Sequence, residues 1–169
     1  KILMKNLIIK LLLIISFICI SDEVELDKAI TVAQNFALTE LDLTDQTLFL
    51  IDSKLISLSD SAETVAYYVF NFNETTGFII ISGQDITSPV LGYSTSSAYN
   101  PANIPNNFNN WMNQYTTGII ESLENNVIQD ISIQAKWSNL ADGLPLTLFR
   151  SNMAVDPLLT TTWNQGSVW

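Results

Sequence analysis

The side chains in this sequence able to act chemically on another molecule are few, and where they fall limits the chemistry. There is one cysteine, Cys19, and no histidine. Cys19 lies inside an apolar run near the N-terminus, so once a leader is removed no thiolate–imidazole pair can form within the chain. An internal disulfide is impossible for the same reason, and a structural metal site would lack cysteine and histidine, the usual zinc ligands. No cofactor is expected. Bulky Ile18 just before Cys19 argues against a lipid-anchored cysteine and leaves Cys19 as filler of the apolar run. Near the other end, Gln165 sits beside Trp163 and Gly166. Alone, a glutamine in that setting reads as a turn residue.

At 169 residues the chain has room for one ordinary domain with short appendages. Lys1, Lys5 and Lys10 flank an apolar stretch running from Leu11 to Ile15 and resuming at Phe17. A basic region followed by a short apolar one is the pattern of a secretory signal, with Met4 as the candidate start and cleavage near Ser21. The apolar stretch is too short to be preferred as a membrane span, so no stable membrane anchor is expected and the mature chain is expected to be secreted. Removing residues 1–21 leaves four basic residues against all seventeen acidic ones, a net charge of −13. Such a domain cannot grip phosphates through clustered lysine and arginine, which excludes nucleic acid as a partner. A basic protein surface fits better, because opposite potentials steer association. For any single acidic residue, simple solubility is the plainer reading.

The elements that must carry any site follow from periodicity. Residues 22–41 are expected as a helix, with Asp22 and Glu25 as a capping box and Leu26, Ala29, Ile30, Ala33, Phe36, Ala37 and Leu41 along one apolar face. Four stretches read as strands: Thr47 to Ser57, Val65 to Phe72, Phe78 to Ile81 and Pro89 to Ser94. A polar stretch, Asn73 to Gly77, suits a hairpin loop, and short links favour an antiparallel meander. Ile79, Ile80 and Ile81 in succession suggest a strand covered on both faces. Helical spacing returns with Phe108, Trp111, Met112, Tyr115, Ile119 and Leu123, with Asn103 or Asn106 as cap. From Asn125 to Asn152 the pattern weakens, and the segment reads as a linker with a short helix or strand near Ile131 to Trp137. The expected fold class is α+β, an antiparallel sheet of about four strands packed with two main helices.

Against this layout, five blocks resemble the streptopain family of secreted papain-like cysteine peptidases. In order, "YYVFNF", "GFIIISGQD", "SPVLGYSTSS" and "FNNWMNQY" resemble the propeptide of that family, a domain also found as a free inhibitor. Within them Gly77, Phe78, Ser82 and Gly83 match a strand-and-turn block, Pro89, Leu91, Gly92, Tyr93 and Ser94 the next strand, and Phe108, Trp111, Met112 and Tyr115 a following helix. The last block, "PLLTTTWNQG", resembles the start of the mature enzyme. Each block alone is a weak signal; their shared order behind a signal-like leader makes chance a poor explanation.

The resemblance implies residues 1–21 as signal, 22–128 as propeptide or protease-inhibitor domain, 129–152 as a linker holding the maturation site, and 153–169 as the start of a catalytic domain. It implies acyl transfer through a cysteine thiolate and a histidine placed beyond Trp169, with Gln165 as the oxyanion-hole donor. The implied partner is the chain's own catalytic domain or a related cysteine peptidase, with protein substrates for the parent enzyme. Arg150 and Lys136 are the basic positions available for processing. Asn106 and Asn107, ahead of the Trp111 helix, are candidates for contact with the peptidase cleft, with helix capping as the competing role. A free-standing inhibitor and a secreted binding module unrelated to proteolysis are the other two readings, and "PLLTTTWNQG" favours the precursor over both.

Overall fold

The computed structural model describes residues 23–59 and 62–146. Helix α1 spans Leu26–Leu41, and strands β1, β2, β3 and β4 span Leu48–Ser57, Glu63–Phe72, Gly77–Ser82 and Val90–Ser94. Helices α2 and α3 follow at Asn106–Glu124 and Ile131–Ala141. The fold is α+β as expected: a four-stranded antiparallel meander in the order β1-β2-β3-β4. The hairpin between β2 and β3 turns through Asn73 and Glu74, both at positive φ, a conformation asparagine tolerates well.

The sheet is covered on both sides. Ala29, Val32, Ala33, Phe36 and Ala37 of α1 pack with Trp137 and Leu140 of α3 against Tyr68, Phe70, Phe72, Ile79 and Ile81. Met112 and Ile119 of α2 pack on the other face against Tyr67, Val69, Ile80 and Leu91. The three consecutive isoleucines therefore divide between two cores and all reach 0% exposure. Burying each is worth about 1.5–3 kcal/mol, which makes β3 the strand that joins the layers.

Along β2 the alternation of faces breaks once. The register shifts between Lys54↔Tyr67 and Leu55↔Val65, so Ala66 is an extra residue and both Ala66 and Tyr67 join the α2-side core. Gly83 closes this bulge: its N–H donates to the Ala66 carbonyl at 2.8 Å, and a Cβ there would lie 2.2 Å from the Val65 carbonyl oxygen. Only a residue without a Cβ allows that approach. Gln84, buried at 2% exposure, donates from Nε2 to Thr64 Oγ1 (2.7 Å) and to the Val65 carbonyl (2.8 Å), so both donors of this buried amide are met beside the bulge.

Two sequence expectations are corrected here. The capping box at Asp22 and Glu25 does not organise α1: Glu25 is the N-cap and makes no side-chain cap bond, while Asp22 lies outside the described residues. The preceding backbone is instead drawn to the sheet, where Val24 N–H donates to the Gly83 carbonyl (2.8 Å) and the Tyr68 hydroxyl donates to the Val24 carbonyl (2.9 Å). Sheet pairing fixes where α1 starts, and the helix begins only at Leu26. The second correction concerns residues 129–146. Of the short helix or strand expected near Ile131 to Trp137 the helix forms, as α3, but it is no part of a linker: it runs on to Ala141, is capped at Asp130 by a bond from Ser132 N–H (2.8 Å), and inserts Trp137 and Leu140 into the core.

Candidate inhibitory surface

The segment between β4 and α2 crosses the α2-side face of the sheet. Its anchor is Tyr99. Asn71 on β2, buried at 3% exposure, accepts from Tyr99 N–H at 2.9 Å and donates from Nδ2 to the Tyr99 carbonyl at 3.0 Å and the Glu74 carbonyl at 3.2 Å. One side-chain amide thus gives the loop a donor and an acceptor, as a neighbouring strand would. The Tyr99 hydroxyl donates to Asp52 Oδ2 on β1 at 2.8 Å, and its ring meets Phe78 on β3 at 6.1 Å between centroids. A single tyrosine is therefore held by three strands.

Burial, the hydrogen bond to the Asp52 carboxylate and the nearby negative charge of Asp52 hold the Tyr99 hydroxyl protonated well above the ordinary tyrosine range. A group whose pKa is raised in the folded chain contributes stability that is fully present below its unfolded value of about 10 and is lost as pH climbs above it. Tyr67 and Tyr68 are shifted in the same direction, burial being the main cause for each. The urea midpoint should accordingly fall between pH 9 and pH 11, and Tyr99→Phe should make that fall shallower; an unchanged slope in the variant would show that Tyr99 does not carry the effect.

From Tyr99 a line of aromatic rings leads onto α2: Tyr99–Phe108 at 6.1 Å, Phe108–Trp111 at 5.6 Å and Trp111–Tyr115 at 5.2 Å. Trp111 rests over Gly92, where a Cβ would come within 2.5 Å of the indole. This close approach lets α2 lie near β4 while leaving Trp111 37% exposed. Beside it, a groove of about 450 Å³ runs between β4 and α2, lined by Leu91, Trp111, Tyr115 and Gly118 among others.

The N-terminus of α2 lies at the end of this aromatic line. Pro105 is its N-cap, extended at φ −61° and ψ 141°, with no side-chain cap bond. Neither Asn103 nor Asn106 caps the helix, which corrects the sequence expectation. The fixed φ of proline prepares the helix start without a side-chain acceptor. Asn106 and Asn107 form the first helical residues and are both exposed. Neither side-chain amide has a hydrogen-bonding partner among the described residues.

The other residues singled out from sequence are not brought together with these. Lys136, expected in a processing loop, lies within α3 and is half-buried. Cys19, Arg150 and Gln165 lie outside the described residues. Among the described residues no cluster of histidine, cysteine, aspartate and glutamate could hold a metal ion, and no helix is long and apolar enough to cross a membrane. Three basic side chains stand there against fourteen acidic ones. Sequence reasoning missed Asn71 and Asp52 as the loop's anchors. The available signal was that Asn71 is the one strongly polar residue in the run Tyr67 to Phe72, where a lone amide must have bonding partners to be buried.

The chain is 26% identical over 106 residues to the thiol protease/hemagglutinin PrtT of Porphyromonas gingivalis, a match covering 62% of this chain and 12% of that protein's length. No solved structure matches it. The family profile described as Spi protease inhibitor matches residues 21–119, more than half of the chain, and takes in α1, the whole sheet, the Tyr99 loop and most of α2. The chain is a member of the Spi protease inhibitor family.

Proposed function

We propose that residues 22–146 form the propeptide of a secreted cysteine endopeptidase and hold its catalytic domain silent until proteolysis releases it. The observation that carries this reading is the family match over residues 21–119, joined to similarity with a thiol protease. "PLLTTTWNQG" after the folded domain favours a precursor over a free-standing inhibitor, because an inhibitor has no use for the beginning of an enzyme. The catalytic cysteine and histidine are proposed to follow Trp169, with Gln165 contributing an oxyanion donor. Folding assistance to the catalytic domain belongs to the same proposal.

The surface that meets the enzyme is proposed to be the Asn100–Asn107 segment and the start of α2. Asn106 and Asn107 would enter the cleft as hydrogen-bonding groups without presenting a cleavable bond in the right place. Rigidity supports this: the Tyr99 anchor and Pro105 fix the segment, so little ordering entropy is lost on binding. Processing is assigned to the chain after Leu146, where Arg150 is the basic position, since α3 places Lys136 in packed helix.

Covalent attachment makes a modest interface sufficient. A short linker supplies an effective concentration of about 1 mM, so even an intrinsic Kd of about 10 µM would keep nearly all molecules closed. Cutting the linker removes that advantage. Asn107→Ala should weaken inhibition of the peptidase about tenfold while leaving the urea midpoint unchanged, as expected for loss of one interface hydrogen bond. Parallel loss of stability and inhibition would count against a contact role.

A further inference from the structure

Helix α2 carries a glycine that the domain itself does not need. Gly118 sits in the helix interior, where glycine is less favourable than alanine because it loses more backbone freedom on folding. Its φ is not positive, and a Cβ built on its backbone meets nothing within 4 Å among the described residues. Gly83 and Gly92 differ, since each lies against Val65 or Trp111 more closely than a Cβ allows. The space above Gly118 is instead part of the groove of about 450 Å³ between β4 and α2, with Leu91, Trp111, Gln114 and Tyr115 beside it. A glycine with open space above it leaves room for a group that comes from outside the domain.

The same face is set apart by charge. From Ile86 to Ile120 the sequence holds no aspartate, glutamate, lysine or arginine, although the chain carries seventeen acidic residues. Most of α2 and most of the groove lining fall in this stretch. Asn107, Trp111, Gln114 and Gly118 follow at steps of four, three and four residues, so they form one stripe, about 16 Å long by the rise of an α-helix. All four are exposed, as are Asn110 and Asn113 beside them. The side chains of Asn107, Asn110, Asn113 and Gln114 make no hydrogen bond among the described residues. Covering neutral amides and an aromatic ring costs little, whereas covering a carboxylate without a partner costs much, and the centres of protein interfaces are accordingly poor in charge.

We propose that the groove above Gly118 receives an uncharged, apolar side chain of the peptidase's catalytic domain, so that the contact extends from Asn107 along α2 and does without ion pairs. The proposal rests on the reading above that the domain inhibits such a peptidase. Position and charge choose the occupant. A peptidase engaged at Asn107 lies over the next turns of the same stripe and reaches the groove without any further partner. A second copy of this chain would bring its own excess of acid, fourteen acidic against three basic side chains among the described residues, and like charges repel. Leu91, Trp111 and Ile119 make the lining apolar, with the Gln114 amide as a hydrogen-bonding group, which suits a leucine or an aromatic ring.

The test titrates the purified chain against the mature peptidase released from its full precursor, reading initial rates on a fluorogenic peptide. Gly118→Leu puts a good helix former into open space, so urea unfolding should show the folding equilibrium constant raised about two- to fourfold. The same change fills the groove and should weaken inhibition about tenfold or more. Gln114→Glu keeps the shape and adds one charge, so it should weaken inhibition about tenfold with the urea midpoint unchanged. The inhibition constant of the unaltered chain should move less than about threefold between about 0.05 M and about 0.5 M sodium chloride. Absence of inhibition by the unaltered chain would overturn the inhibitor reading itself. Four results would overturn the groove contact and leave that reading standing: full inhibition by Gly118→Leu, a loss of stability in that variant, full inhibition by Gln114→Glu, or inhibition weakened more than about tenfold by the salt. Self-association of the unaltered chain that Gly118→Leu abolishes would do the same, by giving the groove to a second copy.

Discussion

Replacing Trp137 with alanine is expected to lower the unfolding free energy by about 3–5 kcal/mol, the usual cost of removing a large buried aromatic. Trp137 is 3% exposed, packs in the core shared by α1 and the sheet, and has Lys28 Nζ 5.1 Å from its ring centroid. Its indole N–H also holds the Thr87 carbonyl in the β3–β4 connection. Because domains of this size are stable by only about 5–15 kcal/mol, the variant should lose a large part of its margin and inhibit poorly when warmed. Trp137→Phe keeps most of the apolar contact and loses the hydrogen bond, so it should cost much less. Urea titration followed by circular dichroism gives both values. A near-zero change for alanine would mean that residues 131–141 are linker after all, and that the folded inhibitor ends with α2.

The second large effect lies in the proposed enzyme. Gln165→Ala in the full precursor, after activation, should lower kcat by roughly a hundred- to a thousand-fold, the typical loss when one oxyanion-hole donor is removed. Inhibition by the propeptide should be unaffected, because Gln165 follows the inhibitor domain. Active-site titration with a thiol reagent separates the two ways this can fail. If the thiol remains titratable and the rate drops, Gln165 stabilises the transition state. If the rate changes less than severalfold, Gln165 is the turn residue that its sequence setting alone suggests, and the proposed start of the catalytic domain at 153 loses its chemical support.

The sheet was legible in the sequence because its residues leave little choice. Val65 to Phe72 is rich in aromatic and β-branched side chains, and three successive isoleucines, β-branched and apolar, favour a strand covered on both faces, which is where β3 lies. The glycines that the family blocks share had no visible reason until Gly83 was seen against the Val65 carbonyl and Gly92 beneath Trp111. These are long-range approaches that no local pattern records.

Helix boundaries were less legible, since tertiary contacts set them. Asp22 and Glu25 form an acceptable capping box on paper, but pairing of residues 23 and 24 with Gly83 and Gln84 takes priority. Helix α3 was legible only as a short helix or strand near Ile131 to Trp137 within a linker, for a related reason. Its apolar positions Ile133, Trp137 and Leu140 follow helical spacing, yet they sit among polar residues over only 11 positions, and Ile131 points away from the core. So short a helix takes its stability from packing rather than from its own sequence. The candidate surface was partly visible: Asn106 and Asn107 stand out as paired amides before an aromatic helix. Their freedom from capping could be seen only once Pro105 was placed at the N-cap.

Whether this domain blocks a cysteine peptidase is read from the inhibition constant of the purified chain against active streptopain, with trypsin as a serine-peptidase control. Reversible inhibition of the cysteine enzyme is expected, with a constant of about 10 µM or tighter, a binding free energy near 7 kcal/mol or more favourable, and no effect on trypsin. A chain shown by circular dichroism to be folded, yet leaving the cysteine peptidase fully active at about ten times that concentration, would contradict it.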